Sequence, residues 1–196
     1  MTNKFLQINL HHAVAAVENL RKRTEKSNEI VFMTEPYFIK DKITKKCKIS
    51  GLNGRTLIAD SNEPRAALML PKQVPAFKMT DFTNRDIATA TIKINDKWVI
   101  ITSLYCDIKK HPISQTLVEL LEYANREKQG LLICADSNSH HTWWNSNITN
   151  NRGKIWEEEI IRYNLTVHNI GNLPTYQNKR TKSIIDITLT KMLIFH

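Results

Sequence analysis

Hydrophobic positions along the chain fall into short strand-like runs, interrupted three times by helical spacing. Phe5-Leu6-Gln7-Ile8-Asn9 reads as a first strand. Residues 12–26 follow with Val14, Val17 and Leu20 at helical spacing and a charged remainder, the pattern of an amphipathic helix. Ile30-Val31-Phe32-Met33 is a continuous apolar strand. It stops at Thr34-Glu35-Pro36, because proline has no N–H to give to a ladder. The middle is rich in β: residues 56–59, 66–70, 87–94 and 98–105, the last two joined by an Asn95-Asp96 turn. Residues 113–128 place Leu117, Leu120, Leu121 and Ala124 on one face of a second helix that closes near Gly130. A strand over 131–135, a third helix over 153–163 and short strands over 165–169 and 183–190 complete the pattern.

The order is β-α-β, several β, then α-β-α-β-β. Helices separated by runs of antiparallel-looking strands predict a layered α/β sandwich with sheets inside and helices outside. At 196 residues, without repeats or a linker, the chain is expected to form one domain spanning 1–196.

Composition adds a partner. Apolar residues at 41% and charged residues at 24% are ordinary for a soluble globular protein. The excess of 28 Lys and Arg over 19 acids gives +9, which favours nucleic acid or an anionic membrane surface. Clusters at 21–26, 40–48 and 179–182 are either binding stripes or solvated helix and loop exteriors. Three cysteines, Cys47, Cys106 and Cys134, lack motif spacing and suit a reducing compartment. The N-terminus has no continuous apolar stretch, and no run nears the roughly 20 residues needed to span a bilayer. An intracellular protein off the membrane is expected.

Polar residues end the strands in a repeated manner: Asn9, Glu35, Tyr105, and Asp136 with Asn138. Asp186 sits within the apolar run Ile184-Ile185-Asp186-Ile187, where a carboxylate costs several kcal/mol unless paired or bound. Singly, an Asn or Asp after a strand is more often a turn residue than a ligand. Jointly, rigid strand ends are where side chains are presented to a cleft. Carboxylates, amides and a phenol suit a hard divalent cation such as Mg²⁺. Beside a basic surface, the matching chemistry is phosphodiester cleavage. A zinc site built on His140-His141 with Cys134 or Cys106 is disfavoured, since neighbouring strand residues diverge and zinc spacings are absent.

The ordered set QINL, MTEP, SLY, ADSNSHH and SIIDITLT resembles the endonuclease/exonuclease/phosphatase superfamily. With D-x-N-x-H-H-x-x-W-x-S, TNNRG and PTY, the chain is similar to the apurinic-type endonuclease domain of insect non-LTR retrotransposons. The resemblance implies a four-layer α/β sandwich, two mostly antiparallel central sheets flanked by helices, and metal-dependent nicking of DNA. It implies Glu35 as the main ligand of Mg²⁺ or Mn²⁺, with Asn9 helping. Tyr105 would contact the scissile phosphate, Asp136 would orient or activate water, and Asn138 would support it. Asp186 matches the acid that pairs with a catalytic histidine. The implied context is a longer polyprotein carrying a reverse transcriptase, acting as a monomer on chromosomal DNA in the nucleus.

The chain departs from the family at its end. The S-D-H motif of a final strand has no counterpart, and KMLIFH places Phe195 before His196. The expectation is an incomplete domain lacking the last strand, with a rate penalty on the order of 10²–10³ for the missing imidazole. A catalytically impaired remnant that binds nucleic acid is the alternative; a phosphorylated lipid or inositol substrate is a third reading, opposed by the positive charge. For His140, His141, Trp143 and Trp144, the choices are loop packing or rimming the DNA. Arg152 could reach a phosphate or form a helix-start ion pair.

Overall fold

The computed structural model describes residues 4–49, 52, 55–60, 62–177 and 181–191. They divide into two compact units, Met1–Tyr105 and Cys106–His196.

The first unit contains β1 (Phe5–Asn9), α1 (Val14–Thr24), β2 (Ile30–Thr34), β3 (Phe38–Lys40), β4 (Cys47–Ile49), β5 (Arg55–Ala59), β6 (Ala66–Pro71), β7 (Ala76–Lys78), β8 (Ile87–Ile94) and β9 (Lys97–Tyr105). One sheet has the order β1-β2-β6-β5. β1 and β2 are parallel, as the intervening helix requires, and the other pairs are antiparallel. Every residue of β2 and β6 is buried, which is why both read as continuous apolar runs. Strands β7, β8 and β9 form an antiparallel meander. Asn95 and Asp96 turn between its long strands with φ of 46° and 63°, the left-handed pair that a two-residue hairpin favours. The Ser103 hydroxyl of β9 donates to the Met33 carbonyl of β2 at 2.9 Å, so the buried polar groups there are satisfied.

The buried stripe of α1 differs from the expected one. Val17 and Leu20 are buried, but the third member is Thr24, while Val14 at the helix start is exposed. Thr24 tolerates burial because its hydroxyl donates to the Leu20 carbonyl at 2.8 Å. Val17 and Leu20 pack on Val31, Met33, Ala67 and Met69. Each such side chain contributes about 1.5–3 kcal/mol.

The second unit contains α2 (Gln115–Arg126), β10 (Gly130–Asp136), α3 (Asn151–Arg162), β11 (Thr166–Val167), β12 (Tyr176–Gln177), β13 (Lys182–Ser183) and β14 (Asp186–Lys191). β14 lies between β10 and β11, antiparallel to both. Ser114 caps α2 by accepting the Leu117 N–H. The strand expected over 183–190 is split. Lys182–Ser183 pair with β12, and β14 begins only at Asp186, because the Thr175 hydroxyl takes the N–H groups of Ile185 and Asp186. Strands β3, β4, β7 and β12 are not legible in the pattern, being only two or three residues long. Among the described residues, no helix is long and apolar enough to cross a membrane.

The described residues are thus mixed α/β, with several sheets and three α-helices. His196 lies outside the described residues.

Candidate functional site

Because β1 and β2 are parallel, their C-terminal ends open onto the same edge of the sheet. Asn9 stands opposite Thr34, and Glu35 follows at once. Glu35 has φ 47°. This left-handed conformation costs a residue with a β-carbon roughly 1–3 kcal/mol and is further disfavoured before proline. It is held from both sides: its N–H donates to the Arg65 carbonyl at 2.8 Å, and its carbonyl accepts from the His12 N–H at 2.7 Å.

The Glu35 carboxylate is 20% exposed, with Oε2 3.6 Å from His11 Nδ1 and Oε1 4.0 Å from His12 Nε2. Both histidines also have positive φ. Asn9 Oδ1 accepts the His11 N–H at 2.8 Å, and His12 Nδ1 lies 3.2 Å from the Pro36 carbonyl oxygen. The turns after the two strands are therefore knitted together, and Asn9 and Glu35 are brought to one place. Neither histidine is among the candidate residues read from the sequence.

Tyr105 ends β9 in the same unit. The Arg65 guanidinium lies 4.6 Å from its ring centroid and binds Asp86 through two 2.6 Å bonds. This ion pair is largely buried. A cavity of about 340 Å³ beside it is lined by His12, Tyr37, Phe38, Glu63, Arg65 and Arg85.

In the second unit, Asp136 is 3% exposed at the end of β10, opposite Asp186 in the ladder. Its carbonyl accepts the Cys106 N–H at 2.9 Å. Asn138 has φ 45°, and its amide donates to the Cys106 carbonyl at 3.1 Å. Ser137 donates both its N–H and its hydroxyl to the Ile185 carbonyl. The Asp186 backbone is fixed by Thr175 Oγ1 and by the Asn169 amide, which donates to its carbonyl at 2.8 Å. Asp186 opens its strand at an intermediate depth, between buried Ile185 and Ile187.

The TNNRG segment turns out to be the brace of the ADSNSHH loop. Asn150 Oδ1 accepts the N–H groups of Gly153 and His140, which caps α3 and starts it two residues earlier than expected. Arg152 does not make a helix-start ion pair. Its guanidinium donates to the carbonyls of Asn138, Lys110, Ile108, Cys106 and Ser137. Gly153 is needed because a β-carbon there would lie 2.0 Å from the His140 carbonyl oxygen. His141 is 5% exposed; its Nδ1 accepts the Trp143 N–H, its Nε2 is 3.4 Å from Glu157, and its ring packs on both tryptophans. Trp144 is fully buried and donates to the Ser139 carbonyl, whereas Trp143 is exposed. His140 pairs with the Ser146 hydroxyl and lines a second cavity of about 290 Å³ with Asn145, Asn147, Asn172 and Lys182.

Among the described residues no three His, Cys, Asp or Glu side chains gather into a metal cluster. The donors present on the β1–β2 edge are a carboxylate and an amide oxygen, fixed by the strand ends. That hard oxygen pair fits Mg²⁺, which keeps several waters and takes one or two carboxylates from the protein. Burial pushes the Cys134 thiol up to about 12.

No curated protein sequence matches. Among solved structures, the endonuclease domain of TRAS1, a telomere-specific non-LTR retrotransposon, is 21% identical with a TM-score of 0.77, covering 96% of this chain and 84% of that one. An AP endonuclease from Leishmania major is 9% identical with a TM-score of 0.68, covering 96% and 78%. An endonuclease/exonuclease/phosphatase family protein from Leptotrichia buccalis is 14% identical with a TM-score of 0.58, covering 98% and 89%. These likenesses establish the α/β fold expected from the strand-end motifs. A family model described as endonuclease–reverse transcriptase matches residues 99–196, the second half of the chain, and the chain belongs to that family.

Proposed function

We propose that this chain is a divalent-metal-dependent phosphodiesterase that nicks DNA, the endonuclease part of a retrotransposon-derived protein. The observation that carries the reading is Glu35: a carboxylate beside Asn9, held in a strained backbone conformation by bonds on both of its peptide groups. Strain of this kind persists where the surroundings over-determine it, and it clusters at active sites.

In this reading Glu35 and Asn9 hold Mg²⁺ or Mn²⁺. The ion, when bound, supplies positive charge that polarises the scissile phosphate and offsets the charge developing on it. Asp136 orients the attacking water and accepts its proton, and Asn138 supports Asp136 and the phosphate oxygens. Tyr105 contacts the phosphate through its phenol, with its ring held by Arg65. Asp186 serves as a positioning acid. The protein acts as a monomer within a polyprotein that carries reverse transcriptase, on nuclear DNA.

The test is relaxation of supercoiled plasmid by the full chain. Nicking that requires Mg²⁺ or Mn²⁺, stops in EDTA, and is lost in Glu35→Gln is the expected result. Metal-independent nicking would overturn the role of the ion, and undiminished nicking by Glu35→Gln would remove that residue. Steeply salt-dependent duplex binding without cleavage would replace the enzyme by a nucleic-acid-binding remnant.

A further inference from the structure

The basic cluster at residues 40–48 forms a single object. β3 and β4 pair as a two-stranded hairpin, with Phe38 opposite Ile49, Ile39 opposite Lys48 and Lys40 opposite Cys47. Its root is set in the core of the first unit, where Ile49 is buried and Phe38 packs against the cluster of Leu10, Val17 and Leu52. Cys47 Sγ accepts the Glu63 N–H, a further tie at the root.

The tip is ordered as well. Asp41 Oδ1 accepts from the N–H groups of Ile43 and Thr44 and from the Thr44 hydroxyl, at 2.9, 2.6 and 3.0 Å. The Asp41 N–H donates to the Lys46 carbonyl and the Lys45 N–H to the Asp41 carbonyl. The only acid of the tip is thus spent on the turn. Lys40 pairs with Glu63 at 3.0 Å. Lys42, Lys45, Lys46 and Lys48 are exposed, and among the described residues none of them pairs with an acid. Ile43, between them, is 90% exposed.

We propose that this hairpin is a DNA-gripping arm: Lys42, Lys45 and Lys46 take phosphates of a duplex, and Ile43 wedges between base steps in the groove they flank. The inference rests on the reading that the chain acts on DNA. A single exposed isoleucine is ordinary. An isoleucine at the apex of an ordered turn among unpaired lysines has the form of the apolar wedges by which proteins unstack bases. Only Pro36 and Tyr37 separate Glu35 from the arm. Ile43 is eight residues from Glu35, at most about 29 Å of chain, within the roughly 34 Å of one duplex turn. One projecting apolar side chain suits a wedge better than a membrane anchor.

The experiment titrates the full chain against a duplex carrying 2-aminopurine, in EDTA, across a salt series, with plasmid nicking measured in parallel. K42A/K45A/K46A is expected to reduce the slope of log affinity against log salt by about 2.7, three phosphates at 0.9 each. Ile43→Ala is expected to keep the slope and lose the rise in 2-aminopurine emission that wild type gives on unstacking. An unchanged slope in the triple variant overturns the arm while leaving the nuclease reading intact. Equal emission from wild type and Ile43→Ala overturns the wedge. Wild type that neither nicks nor binds duplex overturns both readings. Lysine-dependent capture of phosphatidylserine vesicles without duplex binding transfers the arm to a membrane and overturns the proposal.

Discussion

Two strand ends present polar residues in opposite ways. After β2, Glu35 is strained, mostly covered, flanked by two exposed histidines, and fixed through backbone bonds. After β10, the stretch from Asp136 to Trp144 is wrapped by side chains that bond to its backbone: Asn150, Arg152, Ser137 and Ser139. The first region fixes its strand-end residues chiefly through the main chain. The second uses its polar residues as mortar. A polar run after a buried strand is therefore not one kind of signal, and the partner of each side chain decides which kind it is.

The contrast can be broken or sharpened by substitution. The largest effect is expected at Glu35. Glu35→Gly should relieve the backbone and raise stability by about 1 kcal/mol, yet lower plasmid nicking on the order of 10²–10³-fold. Paired melting and nicking assays check both signs, and a destabilised variant would refute the strain. Gly153→Ala should do the converse through folding. The clash with the His140 carbonyl should cost about 3 kcal/mol and lower Tm by about 6–12 °C, read by calorimetry. Arg152→Lys should lose about 2 kcal/mol, since an ammonium cannot reach several carbonyls at once; equal Tm would deny the brace.

A smaller effect depends on pH. The Cys134 thiol is raised from 9.0 to about 12 by burial, so the folded state keeps a proton that the unfolded state releases above pH 9. Stability should then fall as pH rises from 9 towards 12, by about 1.4 kcal/mol per pH unit. Cys134→Ala should flatten that slope in chemical denaturation at pH 8.5 and 10.5. The smallest difference separates two buried indoles. Trp156 Nε1 has no hydrogen-bond partner among the described residues, whereas Trp144 donates to Ser139. Trp156→Phe should therefore cost about 1–2 kcal/mol less than Trp144→Phe.

Much of this was legible in the sequence. Continuous apolar runs gave β2 and β6, helical spacing gave α2, and Asn95-Asp96 gave the long hairpin, because each is a local pattern with a single solution. The short strands were hidden, since a three-residue pair such as β3–β4 is defined by its partner and not by its own periodicity. The candidate residues at the strand ends were visible as residue types in order. Their surroundings were not, because the bracing role of Arg152 shows only through carbonyls far away in sequence. Gly153 carried the clearest unread signal: a glycine inside a helix's first turn marks a place where another backbone must come close.

That close approach has a consequence for lineages. TNNRG and the histidine pair fit each other as a joint, so a copy of this chain keeps them for as long as it must fold, whether or not it cuts anything. Glu35 is under the reverse pressure, since a glycine there relaxes the backbone. In a decaying copy, the family marker outlives the chemistry. On the proposed reading, survival of the joint would date the loss of folding, and the identity of residue 35 the loss of cutting.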